Sequence, residues 1–278
     1  MFEISEMINF KKQMEENLSG KRIIEGSLGN SPHKFVWYNR KPEEFSRLVA
    51  GKKVGSIRVI GRWLLIDLLE GYVLVFGECG GRIMLHPADA VIPPKYHLLL
   101  HFDDNSFLTA TTQMWGAYEL YEKGEEQNRQ YIRDINPIPL NDDFTFSYFN
   151  ELIDRLNTES KRSVKSLLTQ DQIIPGLGNA VAQDIMFKAR LQPRYDLNKL
   201  SETQRHQLYD AILNTVNDII TQGGRNDEYD LFGNPGGYIR LMDKNTAGKP
   251  CPVCGSIIQK ISYLGGTCYF CPTCQPNS

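Results

Sequence analysis

The sequence predicts an α+β protein: an N-terminal antiparallel β-sandwich with a leading helix, then a helical domain, then a β-hairpin carrying four cysteines. Three observations lead there. Between residues 54 and 121 hydrophobic residues alternate in short runs separated by turn formers, the pattern of a sandwich or barrel. Between 144 and 221 the period lengthens to that of helices, and Ser201-Glu-Thr-Gln204 is a capping box. At the end of the chain, Cys251-Pro-Val-Cys254 and Cys271-Pro-Thr-Cys274 are separated by sixteen residues.

In chain order, residues 1–18 form a helix with Ile4, Met7 or Ile8, Met14 and Leu18 on one face, stopped by Ser19-Gly20. After a short loop, 42–49 is a brief helix with Pro42 at its start. Strands follow at 54–60, 62–68, 72–76, 81–85, 96–102, 107–110 and 115–121, with turns at Glu70-Gly71 and Asp103-Asp104-Asn105. The polar stretch 123–133 and the stiff Asn136-Pro-Ile-Pro139 mark a boundary, giving a first domain 1–133 and a linker 134–143. The helical domain, 144–242, contains helices at 144–156, 164–168 and 179–189, then a long one from Ser201 to Gly223-Gly224. The Gly- and Asn-rich stretch 225–238 reads as a loop. The last unit, 243–278, has short strands at 257–263 and 267–270 around a Leu264-Gly265-Gly266 turn.

Two Cys-x-x-Cys pairs at this separation fit a tetrahedral four-thiolate zinc site formed by Cys251, Cys254, Cys271 and Cys274. The competing reading is a pair of disulfides in a secreted chain. The first ten residues carry Glu3 and Glu6 and no basic run, so no signal peptide is expected; with two further cysteines, Cys79 and Cys268, a reducing cytoplasmic setting follows. A hairpin this small buries too little to fold alone, so zinc is structural and supplies its folding energy. No apolar run is long enough to span a membrane. A net charge of −2 excludes a globally basic nucleic-acid binder. The segment 155–194 differs, because seven basic residues there (Arg155, Lys161, Arg162, Lys165, Lys188, Arg190, Arg194) oppose three acids (Glu159, Asp171, Asp184). That local face suits phosphate, or is simply a solvated helix surface.

In Leu167-Leu-Thr-Gln-Asp-Gln-Ile-Ile-Pro-Gly-Leu-Gly-Asn179 a short helix ends, two turns follow and a new helix opens. Its glycines bring backbone amides close to a ligand, and a helix N-terminus favours an anion. Together with the cysteine quartet, this stretch resembles the helix–two-turns–helix motif of the formamidopyrimidine-DNA glycosylase and endonuclease VIII family of base-excision repair enzymes. The likeness runs nearly the length of the chain. Met1-Phe-Glu-Ile-Ser-Glu6 resembles the family's Met-Pro-Glu-Leu-Pro-Glu opening, Gly61-Arg-Trp-Leu-Leu65 its Gly-Lys-Tyr-Leu-Leu strand, and Gly265-Gly266 with Cys271-Pro-Thr-Cys-Gln275 the end of its finger. The resemblance implies double-stranded DNA, damaged or abasic, as the partner of a monomer, and DNA glycosylase and abasic-site lyase chemistry.

The resemblance also implies particular residues. In the family the proline after the initiator methionine becomes the N-terminus and attacks the sugar C1′ as a secondary amine, while the next Glu manages protons. Glu3 and Glu6 match, but Phe2 stands in the place of that proline. A bulky second residue generally prevents removal of the methionine, so the expected terminus is Met1 with a primary amine. Glu3 and Glu6 also read simply as acids in a first helical turn. Arg62 replaces a phosphate-binding lysine and keeps its charge. Asn179, with Gly178 before it, matches a phosphate contact beside the lesion; Asn is equally a good helix N-cap. Thr111-Thr-Gln-Met-Trp-Gly116 corresponds to the loop that fills the hole left by an everted nucleotide. Gln113, Met114 and Trp115 fall there, Trp115 as an aromatic wedge, although Met114 and Trp115 also suit a core strand. Thr267 stands where the finger's arginine is expected, and Gly77-Glu-Cys-Gly-Gly81 lacks the family's void-filling methionine.

Three functional expectations follow. The first is a zinc-containing protein that binds damaged or abasic DNA by phosphate clamping and bending, its nucleophile lost or altered. The second is an active glycosylase with weak or no lyase step, using the Met1 amine or water activated by Glu3. The third, from another class, is a zinc-ribbon module for protein or RNA.

Overall fold

The computed structural model describes every residue except Pro32, Glu70, Asp134, Ser160, Asn277 and Ser278, together with the side chain of Glu159. The expected turn at Glu70, the first linker residue and the last two residues of the finger therefore lie outside the described residues. Two compact units make up the chain: residues 1–135 with 222–237, and 136–221 with 238–278.

The first unit opens with α1 (Ile4–Leu18), β1 (Ile23–Leu28), β2 (Val36–Tyr38) and α2 (Pro42–Val49). It continues through β3 (Val54–Ile60), β4 (Trp63–Leu68), β5 (Tyr72–Gly77), β6 (Gly81–His86), β7 (Leu98–Phe102), β8 (Phe107–Thr112), β9 (Gly116–Glu122) and the short α3 (Gln130–Arg133). The strands form a five-stranded sheet, β2-β9-β5-β4-β3, and a four-stranded sheet, β1-β7-β8-β6. The expected sandwich is present with two differences. Strands β1 and β2 fall where the sequence suggested only a loop, and β2 runs parallel to β9 in an otherwise antiparallel sheet. Both were illegible for the same reason: β1 is interrupted by Glu25 and Gly26, and β2 is three residues long, so neither shows alternation.

Helix α1 buries Ile4, Met7, Phe10, Met14 and Leu18, with Met7, Phe10, Met14 and Leu18 in the sandwich core beside Leu64, Phe76, Leu100 and Leu108. Strand β4 is buried on both faces: Leu64, Ile66 and Leu68 point to that core, while Trp63 and Leu65 join Val73, Val75, Ala117 and Ile132 on the other side. The polar stretch after β9 is thus a cover for the sheet. Arg129 lies 4.4 Å over the Trp63 ring and pairs with Glu119 at 3.0 Å, while Ile132 of α3 fills the gap beneath. Residues 222–237 return to this unit as a clasp. Leu231 enters the core, its N–H donates to Gln13 Oε1 (2.9 Å), and its carbonyl accepts from Leu85 N–H (2.8 Å).

The second unit contains α4 (Phe146–Glu159), α5 (Val164–Thr169), α6 (Asn179–Lys188), α7 (Glu202–Thr221) and the hairpin β10 (Gln259–Tyr263) and β11 (Gly266–Phe270). The capping box at α7 forms as the sequence implied: Ser201 N–H donates to Gln204 Oε1 at 3.0 Å, and Gln204 N–H to Ser201 Oγ at 3.3 Å. Between α5 and α6 the two turns take left-handed φ at Asp171 (+52°), Gln172 (+50°) and Gly176 (+87°). Gln172 locks them by accepting from Gly176 N–H at 2.9 Å. Buried Asp184 of α6 accepts from Tyr238 O–H and from the amides of Leu241 and Met242, anchoring the chain as it runs on toward the finger.

Candidate functional site

The expected residues fall into three constellations, one at the chain's beginning, one on a sandwich loop and one in the second unit. At the beginning, Phe2 is fully buried, its ring edge-on to Phe10 at 4.9 Å, and its N–H donates to Cys79 O at 2.9 Å. The backbone nitrogen at position 2 is therefore an amide engaged in a hydrogen bond, beneath a side chain that belongs to the core. Glu3 caps α1 and Glu6 sits at the third helical position, in a reciprocal capping box in which Glu3 N–H donates to Glu6 Oε2 at 2.9 Å. Both carboxylates are buried, at 4% and 3% exposure.

Such burial demands a counter-charge. Arg225 provides it from the returning segment. Its Nε and Nη2 grip Glu6 Oε1 and Oε2, each at 2.9 Å, its Nη1 is 3.6 Å from Glu3 Oε1, and its Nη2 also donates to Met1 O at 3.0 Å. Burial alone would raise the Glu6 carboxyl; the charge and hydrogen bonds of Arg225 outweigh it and hold the group below the ordinary carboxylate range. Glu228 completes the cluster, its Oε1 3.2 Å from the Met1 amine and 3.4 Å from Arg225 Nη2. Burial raises its pKa, against the lowering pull of those two cations. Gly80 lies over the terminus so closely that a Cβ there would stand 3.1 Å from Met1 Cα. Arg62 also arrives, donating to Glu78 Oε2 (3.0 Å) and to Met1 Sδ (3.4 Å). The cation expected to grip phosphate is thus ion-paired with the acid that stands in place of the family's methionine loop. Arg225 and Glu228 escaped sequence reading because they lie in a glycine-rich loop more than two hundred residues from their partners; the only local sign was a charged Arg225-Asn-Asp-Glu228 run after two glycines.

On the sandwich loop, Gln113, Met114 and Trp115 precede β9 instead of filling the core. All three are exposed, Met114 at 58% and Trp115 at 37%. The core-strand alternative fails because Trp115 lies one residue before the strand, where Gly116 begins pairing with β2.

In the second unit, Gly178 rather than Asn179 is the N-cap of α6. The Asn179 side chain is turned to the finger, where its Nδ2 donates to Thr267 O at 3.2 Å. Gln183 Nε2 donates to the same carbonyl at 2.8 Å and Gln183 Oε1 accepts from Tyr269 N–H at 3.0 Å, so α6 and β11 are stitched together. Gly266 permits this approach, since a Cβ there would stand 3.2 Å from Asn179 Oδ1. Lys165 of α5, itself buried, donates to Tyr263 O at the hairpin's end.

The sulfurs of Cys251, Cys254, Cys271 and Cys274 lie within 4.8 Å of one another, with Cys251–Cys274 at 3.8 Å and Cys254–Cys271 at 3.4 Å. Four sulfurs about 2.3 Å from a central zinc stand roughly 3.8 Å apart, so the quartet fits that metal. All four are free thiols. Hydrogen bonds from the Ser256 side chain and backbone bring the Cys254 thiol down to about 6, while burial raises Cys271 and Cys274. Zinc held there would displace the protons of Cys271 and Cys274.

Comparison with known proteins agrees with this geometry. A family model described as the formamidopyrimidine-DNA glycosylase N-terminal domain matches residues 1–118, and one described as the formamidopyrimidine-DNA glycosylase H2TH domain matches 135–228. A formamidopyrimidine-DNA glycosylase of Bacillus cereus is 26% identical over the whole of both chains, and one of Bacillus licheniformis is 30% identical over 87% of this chain and 88% of its own. Among solved structures, the Lactococcus lactis Fpg in complex with abasic-site DNA superposes with a TM-score of 0.85 at 24% identity, covering 99% of this chain and 100% of that one. A complex of the wild-type Lactococcus enzyme with DNA containing N7-benzyl-Fapy-dG gives 0.86 at 25% identity with the same coverage.

Proposed function

Because the chain belongs to the formamidopyrimidine-DNA glycosylase family, we infer that it is a cytoplasmic, zinc-containing monomer that binds damaged or abasic duplex DNA without the family's proline-amine chemistry. The observation that carries this reading is Phe2. A ring with no exposed surface, and an amide donated to Cys79 O, hold position 2 inside the sandwich and leave no secondary amine there. Glu3 and Glu6 support the same reading, because Arg225 commits both carboxylates to a buried ion cluster. Binding needs none of these groups. Asn179 beside the finger and the exposed loop 113–115 are the contacts assigned to it, with Arg62 joining if phosphate displaces Glu78.

One observation favours the second reading, an active glycosylase. With Met1 as first residue, its amine stands 3.2 Å from Glu228, a carboxylate whose raised pKa suits it to take a proton from an attacking amine. Borohydride trapping on abasic-site DNA decides between the two, with intact mass to verify that Met1 is present. The expected result is no covalent adduct alongside retained binding; an adduct with the natural sequence sinks the nucleophile-loss reading. Phe2→Pro is an instructive comparator but not an innocent one. It removes a fully buried ring, at a cost of roughly 3–5 kcal/mol, and its melting temperature should fall accordingly.

Against a zinc module for protein or RNA, the family models match residues 1–118 and 135–228, both outside the finger. A salt titration of duplex binding tests the point. A phosphate-clamping protein loses affinity steeply as salt rises, whereas a flat response contradicts it.

A further inference from the structure

We propose that Phe35, Trp37 and Trp115 form a preassembled aromatic platform that caps one unpaired nucleobase of bound DNA, with Lys34 beside it for the adjoining phosphate. The inference rests on the DNA-binding reading above and adds to it a specific ligand group and two residues, Phe35 and Trp37, outside the motif loop.

The Trp115 ring is not poised alone. Trp37 lies nearly parallel to it, with centroids 5.3 Å apart and 12° between planes, and Phe35 is 4.5 Å away at 38°. The indoles remain 44% and 37% exposed, an uncommon outlay of aromatic surface, beside the exposed Met114. Their backbone is fixed from two sides. Gly116 N–H donates to Phe35 O at 3.1 Å where β9 meets β2, and the 113–115 loop is tied to Gly80 by Gly80 N–H to Trp115 O (3.1 Å) and Gln113 N–H to Gly80 O (2.6 Å). Rings held in this way lose little freedom when a base arrives, which is what makes stacking count.

Charge identifies the occupant. Residues 33–41 carry Lys34, Arg40 and Lys41 and no acid, and residues 111–116 carry no charge at all. Arg40 is engaged by Glu44, whereas the Lys34 ammonium stands 5.3 Å from the Phe35 centroid at the platform's edge. Aromatic faces bordered by cations suit a base joined to a phosphate backbone. The parallel Trp37 ring already covers one side of Trp115, so this residue caps a base from one side instead of wedging between two. A wedge needs both faces.

The test uses the full-length chain and two duplexes that differ only in a 2-aminopurine, paired in one and facing an abasic site in the other. Binding should quench 2-aminopurine fluorescence in the unpaired duplex more than in the paired one. Trp37→Ala, which removes the ring that backs Trp115, should relieve the quench and reduce the preference for the unpaired duplex by about tenfold, the order expected when one base–aromatic stack is no longer held in place. Trp37→Phe should keep most of both, and the salt dependence should be the same for all three proteins. Absence of quenching with the natural chain overturns the platform without recourse to any variant. So does an unchanged preference in Trp37→Ala whose circular dichroism matches the natural chain. Natural chain that binds the abasic duplex but fails these readouts loses only the platform; failure to bind either duplex overturns the DNA-binding reading as well. A dimer in sedimentation equilibrium that Trp37→Ala dissociates would assign the rings to a second copy and overturn the proposal.

Discussion

Stripping the metal from Cys251, Cys254, Cys271 and Cys274 is expected to unfold the β10–β11 hairpin while the sandwich stays folded. The finger's own core is small: Cys251, Ile258 and Cys271 with Phe187 and Met242 of the helical unit, two of the five being metal ligands. Most of β10 is exposed or half-exposed. Binding free energies of about 10–16 kcal/mol for structural zinc in finger peptides far exceed what such a cluster retains. The stitches that depend on the hairpin then fail together: Asn179 and Gln183 to Thr267 O, Gln183 to Tyr269 N–H, and Gln275 Nε2 to Leu191 O. Hydrogen exchange after chelation should show lost protection across 248–275 and none lost in α1, and duplex affinity should fall because Asn179 loses its orienting partner. Cys274→Ser should behave similarly and bind less zinc. Intact protection of the hairpin in metal-free protein would contradict a structural role. Affinity for the metal should also weaken in acid, as the raised Cys271 and Cys274 thiols hold their protons.

Arg225→Met is expected to destabilise the first unit by roughly 3–5 kcal/mol, the cost of leaving buried charge unpaired, and to reverse the direction in which acid acts. In the natural chain Glu6 has a pKa depressed below its usual value. Its contribution is therefore present above the unfolded carboxylate range and is lost as pH falls through the folded value, so acid destabilises. Without the guanidinium, the desolvation of the buried Glu6 carboxyl is opposed only by the backbone hydrogen bonds from Glu3 and residue 225, and it raises that group. The folded state then binds more protons than the unfolded one, and lowering pH from neutrality toward the carboxylate range stabilises the variant. Melting temperature measured across that range for both proteins distinguishes this account from simple loss of packing, which would shift the two curves in parallel.

What could be read from the sequence was local. Two Cys-x-x-Cys pairs carry their own geometry, a capping box lies within four residues, and Pro175-Gly176-Leu177-Gly178 spells out the turn it makes. The long helices and the middle strands, whose periodicity runs over five or more residues, were equally legible. The short β1 and β2 were not, because β2 exists only as a partner for β9 and β1 only as an edge for β7. The substitution at position 2 was visible at once, but its meaning was not. Sequence showed a phenylalanine where the family motif has proline, and packing placed its ring in the hydrophobic core with Phe10.

The sequence by itself determined the sandwich, the helical unit with its two turns, the zinc quartet and the phenylalanine at position 2, because each is written in spacing or in a single residue. Only the tertiary structure decided which charges meet. It brought Arg225 and Glu228 to Glu6 and Met1, joined Arg62 to Glu78, turned Asn179 from helix cap to finger contact, and laid Trp37 against Trp115. Those pairings depend on desolvation and on sheet register across separations from 16 to 227 residues, neither of which leaves a periodic trace in the chain.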